Sequence, residues 1–158
     1  MAQTAPQQSQ QHLCRIDKML LTIVPLAVGS LSGYLSRDRT GYDQLVKPSF
    51  NPPGWIFGPV WIVLYLLMGI SAEMVKSDPK ALRIFFIQLA LNFAWSIIFF
   101  NFQRRDVAML VIVALLISIV YMIRVFHRTS PLASQLQVPY LLWVGFATVL
   151  NIAIWWLN

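Results

Sequence analysis

The stretch KPSFNPPGWIFGPVWIVLY, Lys47 to Tyr65, decides the fold. It sets four prolines (Pro48, Pro52, Pro53, Pro59) and two tryptophans (Trp55, Trp61) at the entrance of a long apolar run. Proline fixes φ and pushes the preceding residue toward extended shapes, so Pro48, Pro52 and Pro53 stiffen a loop. NPPGW then starts a helix sharply, because the first helical amides lack internal partners in any case. Pro59 is expected in about the first turn, where a missing N–H matters least. The run that follows is long and apolar enough to cross a bilayer, which needs about 20 such residues.

The rest of the chain repeats that pattern. Of 158 residues, 58% are hydrophobic, 13% aromatic and 11% charged, and the mean hydropathy is +0.64. Soluble domains carry about a quarter charged residues, and a core this small cannot hide so much apolar surface. Five apolar runs lie at about 16–35, 55–75, 81–102, 107–126 and 132–157. Residues 1–13, rich in Gln, read as a disordered polar tail, and 14–158 as a single transmembrane domain. The expected fold is an all-α membrane protein, a five-helix transmembrane bundle with a long loop between helices one and two. A cleaved signal peptide competes for the first run, since Arg15 and Lys18 precede it and Ala27 to Gly29 imitates a cleavage site. The apolar stretch exceeds the usual apolar h-region of a signal peptide, about 7–15 residues.

The formal net charge of +6 sits in the connectors, which suits lipid headgroups rather than nucleic acid. Arg15, Lys18, Lys76, Lys80, Arg83, Arg124 and Arg128 fall on one side; Arg37, Arg39, Lys47, Arg104 and Arg105 fall on the other. The excess favours an inside N-terminus. Cys14 is the only cysteine, and His12 and His127 flank different runs, so no metal site is expected. The spans hold almost no ionisable groups. Glu73 lies near a helix end, which argues against an ion-coupled pump.

Helical periodicity groups the remaining polar and aromatic residues. Phe57, Trp61, Tyr65 and Met68 share one face of the second run. Gln88, Asn92, Trp95 and Phe99 share a face of the third; Tyr140, Trp143, Ala147, Leu150 and Asn151 share one of the fifth. Amides are costly in lipid, so Gln88, Asn92 and Asn151 should point inward. Two readings fit: a pocket for a flat, largely apolar ligand, or amides bridging helices with aromatics filling the core. For any single residue the packing reading is the simpler one. Trp55, Trp155 and Trp156 suit interface anchors, whereas Trp61, Trp95 and Trp143 lie deeper. The pairs Gly29/Gly33 and Ala90/Ala94 have close-packing spacing, and Ala90/Ala94 suggests a homodimer contact.

The segments RTGYDQLVKPSFNPPGWIFGPVWIVLYLLMG, QLALNFAWSIIFF and SPLASQLQVPYLLWVGFATVLN, in that order, resemble the translocator proteins. That family includes the tryptophan-rich sensory proteins (TspO) and the peripheral benzodiazepine receptor. The resemblance implies a five-helix bundle, commonly dimeric, with a pocket beneath the first loop for porphyrins such as protoporphyrin IX and haem, for sterols, or for benzodiazepine-site drugs. It implies no required cofactor; porphyrin or haem enters as ligand. Carried over by motif, Tyr42, Pro52 and Pro53 belong to the loop over the pocket, Trp61 to the second helix, and Asn92 and Trp95 to the third. Trp143, Ala147 and Leu150 belong to the fifth. Tyr65, Phe99 and Tyr140 join them from periodicity. Some relatives degrade protoporphyrin IX in light and oxygen, which points to Trp61 and Trp143 as candidate catalytic residues. Transport of sterols or other small molecules is a third expectation.

Two departures stand out. Gly41 and Phe50 occupy places where bacterial relatives often carry Trp. Ile152 and Trp156 replace the Tyr and the basic residue of the animal sterol motif, which is hypothesis-grade even when intact. A bacterial membrane is the expected location, with the mitochondrial outer membrane as alternative.

Overall fold

The computed structural model describes the backbone of residues 5–37 and 40–158 and the side chains of 20–37 and 41–158. Among these residues the chain is all helix and connection: α1 (Ala5–Leu35), α2 (Thr40–Asp43), α3 (Gly54–Met74), α4 (Pro79–Phe100), α5 (Arg105–Thr129), α6 (Pro131–Leu136) and α7 (Val138–Leu157). Four helical segments are long and apolar enough to cross a membrane: α3, α4, α5 and the α6–α7 pair, 131–157. The described apolar part of α1, Leu20–Leu35, is shorter. The helix itself runs back to Ala5, through most of the Gln-rich segment expected to be a disordered tail.

Each start and stop has a local cause. Pro53, with φ −55° and ψ 137°, holds the extended conformation that precedes α3. Pro59 is the sixth residue of α3, not part of its first turn, so its ring removes the donor for the Trp55 carbonyl. Trp55 is strongly exposed at this rim, where that carbonyl is close to solvent or headgroups. Asp78 caps α4, accepting from the backbone N–H of Lys80 at 2.9 Å and of Ala81 at 3.3 Å, with Pro79 at the first helical position. Ser130 caps α6 in the same manner. The break between α6 and α7 falls at Gln137, just before Pro139.

Packing then divides the bundle. α5 is the central post, lying against α4, α6 and α7. It buries Ile112, Leu115, Ile119, Met122 and Phe126 completely or nearly so. α1 packs on α3 and α4 on the other side. Gly69 is what lets α1 and α3 cross: a Cβ there would overlap the backbone of Thr22. This arrangement leaves a space between α1, α3, α4 and α7 that α5 does not enter.

Candidate functional site

The floor of that space is a chain of buried polar side chains. The Tyr65 hydroxyl donates to Asn92 Oδ1 at 2.8 Å. Asn92 Nδ2 donates to the Tyr140 hydroxyl at 3.2 Å, and that hydroxyl donates to Gln88 Oε1 at 2.8 Å. Gln88 Nε2 reaches Met68 Sδ at 3.7 Å. Tyr65, Asn92, Tyr140 and Gln88, from three helices, thus satisfy one another in burial, with Met68 receiving the last amide. Gln88, Asn92 and Asn151 are all buried, as the cost of an amide in lipid requires.

Above the floor lies a cavity of about 250 Å³. Its walls are mostly rings and small residues. α3 supplies Phe57, Gly58, Trp61, Ile62 and Tyr65; α4 supplies Asn92, Trp95, Ser96 and Phe100; α7 supplies Trp143 and Ala147. Tyr42 reaches in from α2. Trp61 stacks on Tyr65 with centroids 5.3 Å apart, and Trp95 stacks on Phe99 at 5.7 Å. Trp95 Nε1 donates to Asn151 Oδ1 at 3.0 Å, which fixes that ring. Trp143 differs: its indole nitrogen is buried with no hydrogen-bond partner among the described residues, and the ring makes edge contact with Phe57 at 5.8 Å and lies against Phe146 at 5.7 Å.

Residues 41–53 run past one end, where Tyr42 lines the space. The Tyr42 hydroxyl donates to Asn51 Oδ1 at 2.9 Å, and the Tyr42 ring lies against Phe99 and Phe100. Lys47 Nζ sits over the Tyr42 ring at 4.9 Å. Asn158, at the end of α7, donates through Nδ2 to the Val46 carbonyl and accepts from the Val46 N–H through Oδ1, both at 3.0 Å.

Of the residues singled out from the sequence, Tyr42, Trp61, Tyr65, Asn92, Trp95, Trp143 and Ala147 line the cavity. Tyr140 stands behind the wall, where it fixes Asn92. Phe99 backs Trp95, and Leu150 joins Phe99, Ala108 and Ile154 in a separate apolar cluster. Pro52 and Pro53 form the approach to α3 and do not line the cavity. Ala90 is exposed and Ala94 half-buried, away from the cavity.

The wall that sequence reasoning missed is α1: Leu26, Gly29, Ser30, Ser32, Gly33 and Ser36 all line the space. The signal was the run GSLSGYLS, 29–36, small or hydroxylated at most positions, which reads equally well as a packing stripe. Gly29 does both jobs, since a Cβ there would overlap the Tyr65 ring. Ser36 pairs with Ser96 at 3.2 Å and ties α1 to α4 at the cavity edge.

The sequence model of the TspO/MBR family matches residues 21–157. The chain belongs to the TspO/MBR family. Its similarity to curated members spans domains of life. It is 38% identical to the tryptophan-rich protein TspO of Archaeoglobus fulgidus over 90% of this chain and 98% of that one. It is 44% identical to the tryptophan-rich protein TspO of Chlorobaculum tepidum over 74% and 78%, respectively. It is 37% identical to the human translocator protein over 72% of each chain. As a TspO/MBR protein with several apolar helices it is an integral membrane protein. The matched region contains every described cavity residue.

Proposed function

We propose that this TspO/MBR protein binds a flat tetrapyrrole, protoporphyrin IX or haem, in the cavity between α1, α3, α4 and α7. In this reading α1 is a fifth membrane-crossing helix and the 41–53 segment is the cover of the pocket. The observation that carries the reading is the wall itself. Three indoles, Trp61, Trp95 and Trp143, face one space, and a fully satisfied amide–phenol chain closes its floor. Rings supply stacking surface, and Asn92, Ser32, Ser36 and Ser96 supply polar edges. At about 250 Å³ the space is slightly below the roughly 300–1,000 Å³ of typical ligand sites, so its walls move apart when a macrocycle enters.

Titration of the protein in lipid vesicles with protoporphyrin IX, followed by the porphyrin absorbance band, tests this. Saturable binding at micromolar porphyrin is expected. A strictly linear response, equal to that of empty vesicles, would sink the proposal.

A second reading, light- and oxygen-dependent degradation of the bound porphyrin, has one observation in its favour. Trp61 and Trp143 both line the cavity, and Trp61 lies against two phenols, Tyr65 at 5.3 Å and Tyr140 at 6.3 Å. Such a set can pass an electron to or from a photoexcited ring, with dioxygen as the terminal oxidant. Illumination of the complex distinguishes the readings. A discrete new product that is absent in Trp143→Phe supports catalysis, and bleaching that proceeds equally without protein supports binding alone.

The outer face of α4, where Ala90 is exposed beside Phe86 and Ile87, is the proposed homodimer contact. Cysteines placed at Ala90 or Ala94 should cross-link between copies in a Cys14→Ser background. A bacterial membrane is the proposed location.

A further inference from the structure

The cavity shares a wall with a second feature. A groove of about 580 Å³ runs along the outer surface between α3 and α7, lined by Pro59, Val63, Leu64, Pro139, Leu142 and Trp143. Val63 sits near the middle of α3, and Leu142 near the middle of the 131–157 span. Both are more than half exposed, at 54% and 68%. That places the groove at the depth of the hydrocarbon. The backbones of α3 and α7 scarcely approach each other. What closes the gap is a row of rings: Phe57 against Trp143, and Trp61 against Tyr140.

Trp143 lines both the inner cavity and the outer groove. Its buried indole nitrogen has no acceptor among the described residues, so apolar packing and ring contacts hold it without a polar tether, each ring pair worth about 0.5–1.5 kcal/mol beyond area burial. The segment that brings Tyr42 to the cavity is tied down by polar bonds, the two-way Asn158–Val46 pair and the Tyr42–Asn51 bond. An apolar ligand partitions into the bilayer before it meets the protein.

We propose that apolar ligands enter and leave the cavity sideways from the bilayer core, through the α3–α7 gap, with the Trp143 ring as the swinging partition. This rests on the reading that the cavity holds an apolar ligand. The groove is then the docking place of a membrane-dissolved ligand, and acyl chains fill it in the ligand's absence.

Two readouts test it, one of them free of porphyrin. In vesicles whose lipids carry bromine in mid-chain, the emission lost in Trp143→Phe relative to wild type reports Trp143. That emission should be quenched by the bromines, and the quenching should fall in the groove-filled double variant Val63→Phe/Leu142→Phe. The same variant should bind and release protoporphyrin IX several-fold more slowly at unchanged Kd. A short cross-link between cysteines at Val46 and Asn158, in the Cys14→Ser background, should leave both rates as they were. An unquenched Trp143 would overturn the proposal, as would entry that is stopped by the cover cross-link and indifferent to the groove. Quenched Trp143 with no saturable porphyrin binding supports the lipid-open groove and instead overturns the tetrapyrrole reading.

Discussion

The two ends of the cavity are built on opposite principles. At the floor, Tyr65, Asn92, Tyr140 and Gln88 come from three helices and bond side chain to side chain in full burial. At the cover, Tyr42, Asn51, Val46 and Asn158 are exposed or half-exposed, and each bond competes with solvent. A buried donor or acceptor that loses its partner costs about 1–3 kcal/mol, whereas an exposed one is re-solvated. The floor therefore fixes geometry, and the bonds around Tyr42 and Val46 contribute little to stability.

The sharpest test of that contrast is beside the floor. Gly69→Val places branched carbons against the Thr22 backbone, where not even a Cβ fits. Expulsion of α1 from α3 is expected, seen as loss of the folded, monodisperse protein in detergent. A folded Gly69→Val protein with native melting behaviour would show that the α1–α3 crossing is loose. Next in size is Asn92→Leu, which leaves the Tyr65 hydroxyl without an acceptor and the Tyr140 hydroxyl without a donor. Thermal unfolding should report a loss of about 1–3 kcal/mol. Tyr140→Phe should share most of that loss, and the double variant should cost clearly less than the sum.

The cover should respond differently. Asn158→Ala removes both bonds to Val46. Hydrogen exchange at 45–47 should speed up while the melting temperature barely moves. A drop comparable to that of Asn92→Leu would erase the distinction between the two ends.

The smallest effect is expected at the aqueous rim on the floor side. Asp78 accepts from Thr129 Oγ1 at 2.9 Å as well as from the α4 amides. The Thr129 hydroxyl bond, followed by the Ala81 amide, holds its carboxyl below the usual aspartate range. A depressed folded-state value means the stabilisation is present above the unfolded-state pKa, about 3.9, and is lost as pH falls through the folded value. Asp78→Asn should remove that dependence: a small loss of stability at neutral pH, where the carboxylate's contribution is present, that shrinks away as pH falls below about 4.

The contrast also explains what the sequence disclosed. Residues whose role follows from burial in lipid were legible: Gln88, Asn92 and Asn151 had to face inward, and they do. Trp61, Trp95 and Trp143 stood too deep in their spans for interface anchors, and all three line the cavity. The exposure of Trp55 and Trp156 fits the anchor role. The α1 wall was not legible, because Gly29, Ser32, Gly33 and Ser36 give the same pattern whether the neighbour is a helix or an empty space. Nor was the tie between Val46 and Asn158, since two residues separated by most of the chain carry no local signal of meeting. Periodicity places a side chain on a face; it does not say how far away the facing helix stands. That distance separated Tyr140, Phe99 and Leu150, which share faces with cavity residues, from the cavity itself.

The most direct test compares porphyrin affinity across tryptophans inside and outside the cavity. Trp61→Phe and Trp143→Phe should each weaken equilibrium binding of protoporphyrin IX several-fold in vesicles, while Trp55→Phe and Trp156→Phe, at the exposed rims, should leave it unchanged. Equal affinities in all four variants, or losses confined to the rim pair, would contradict a ligand site between α1, α3, α4 and α7.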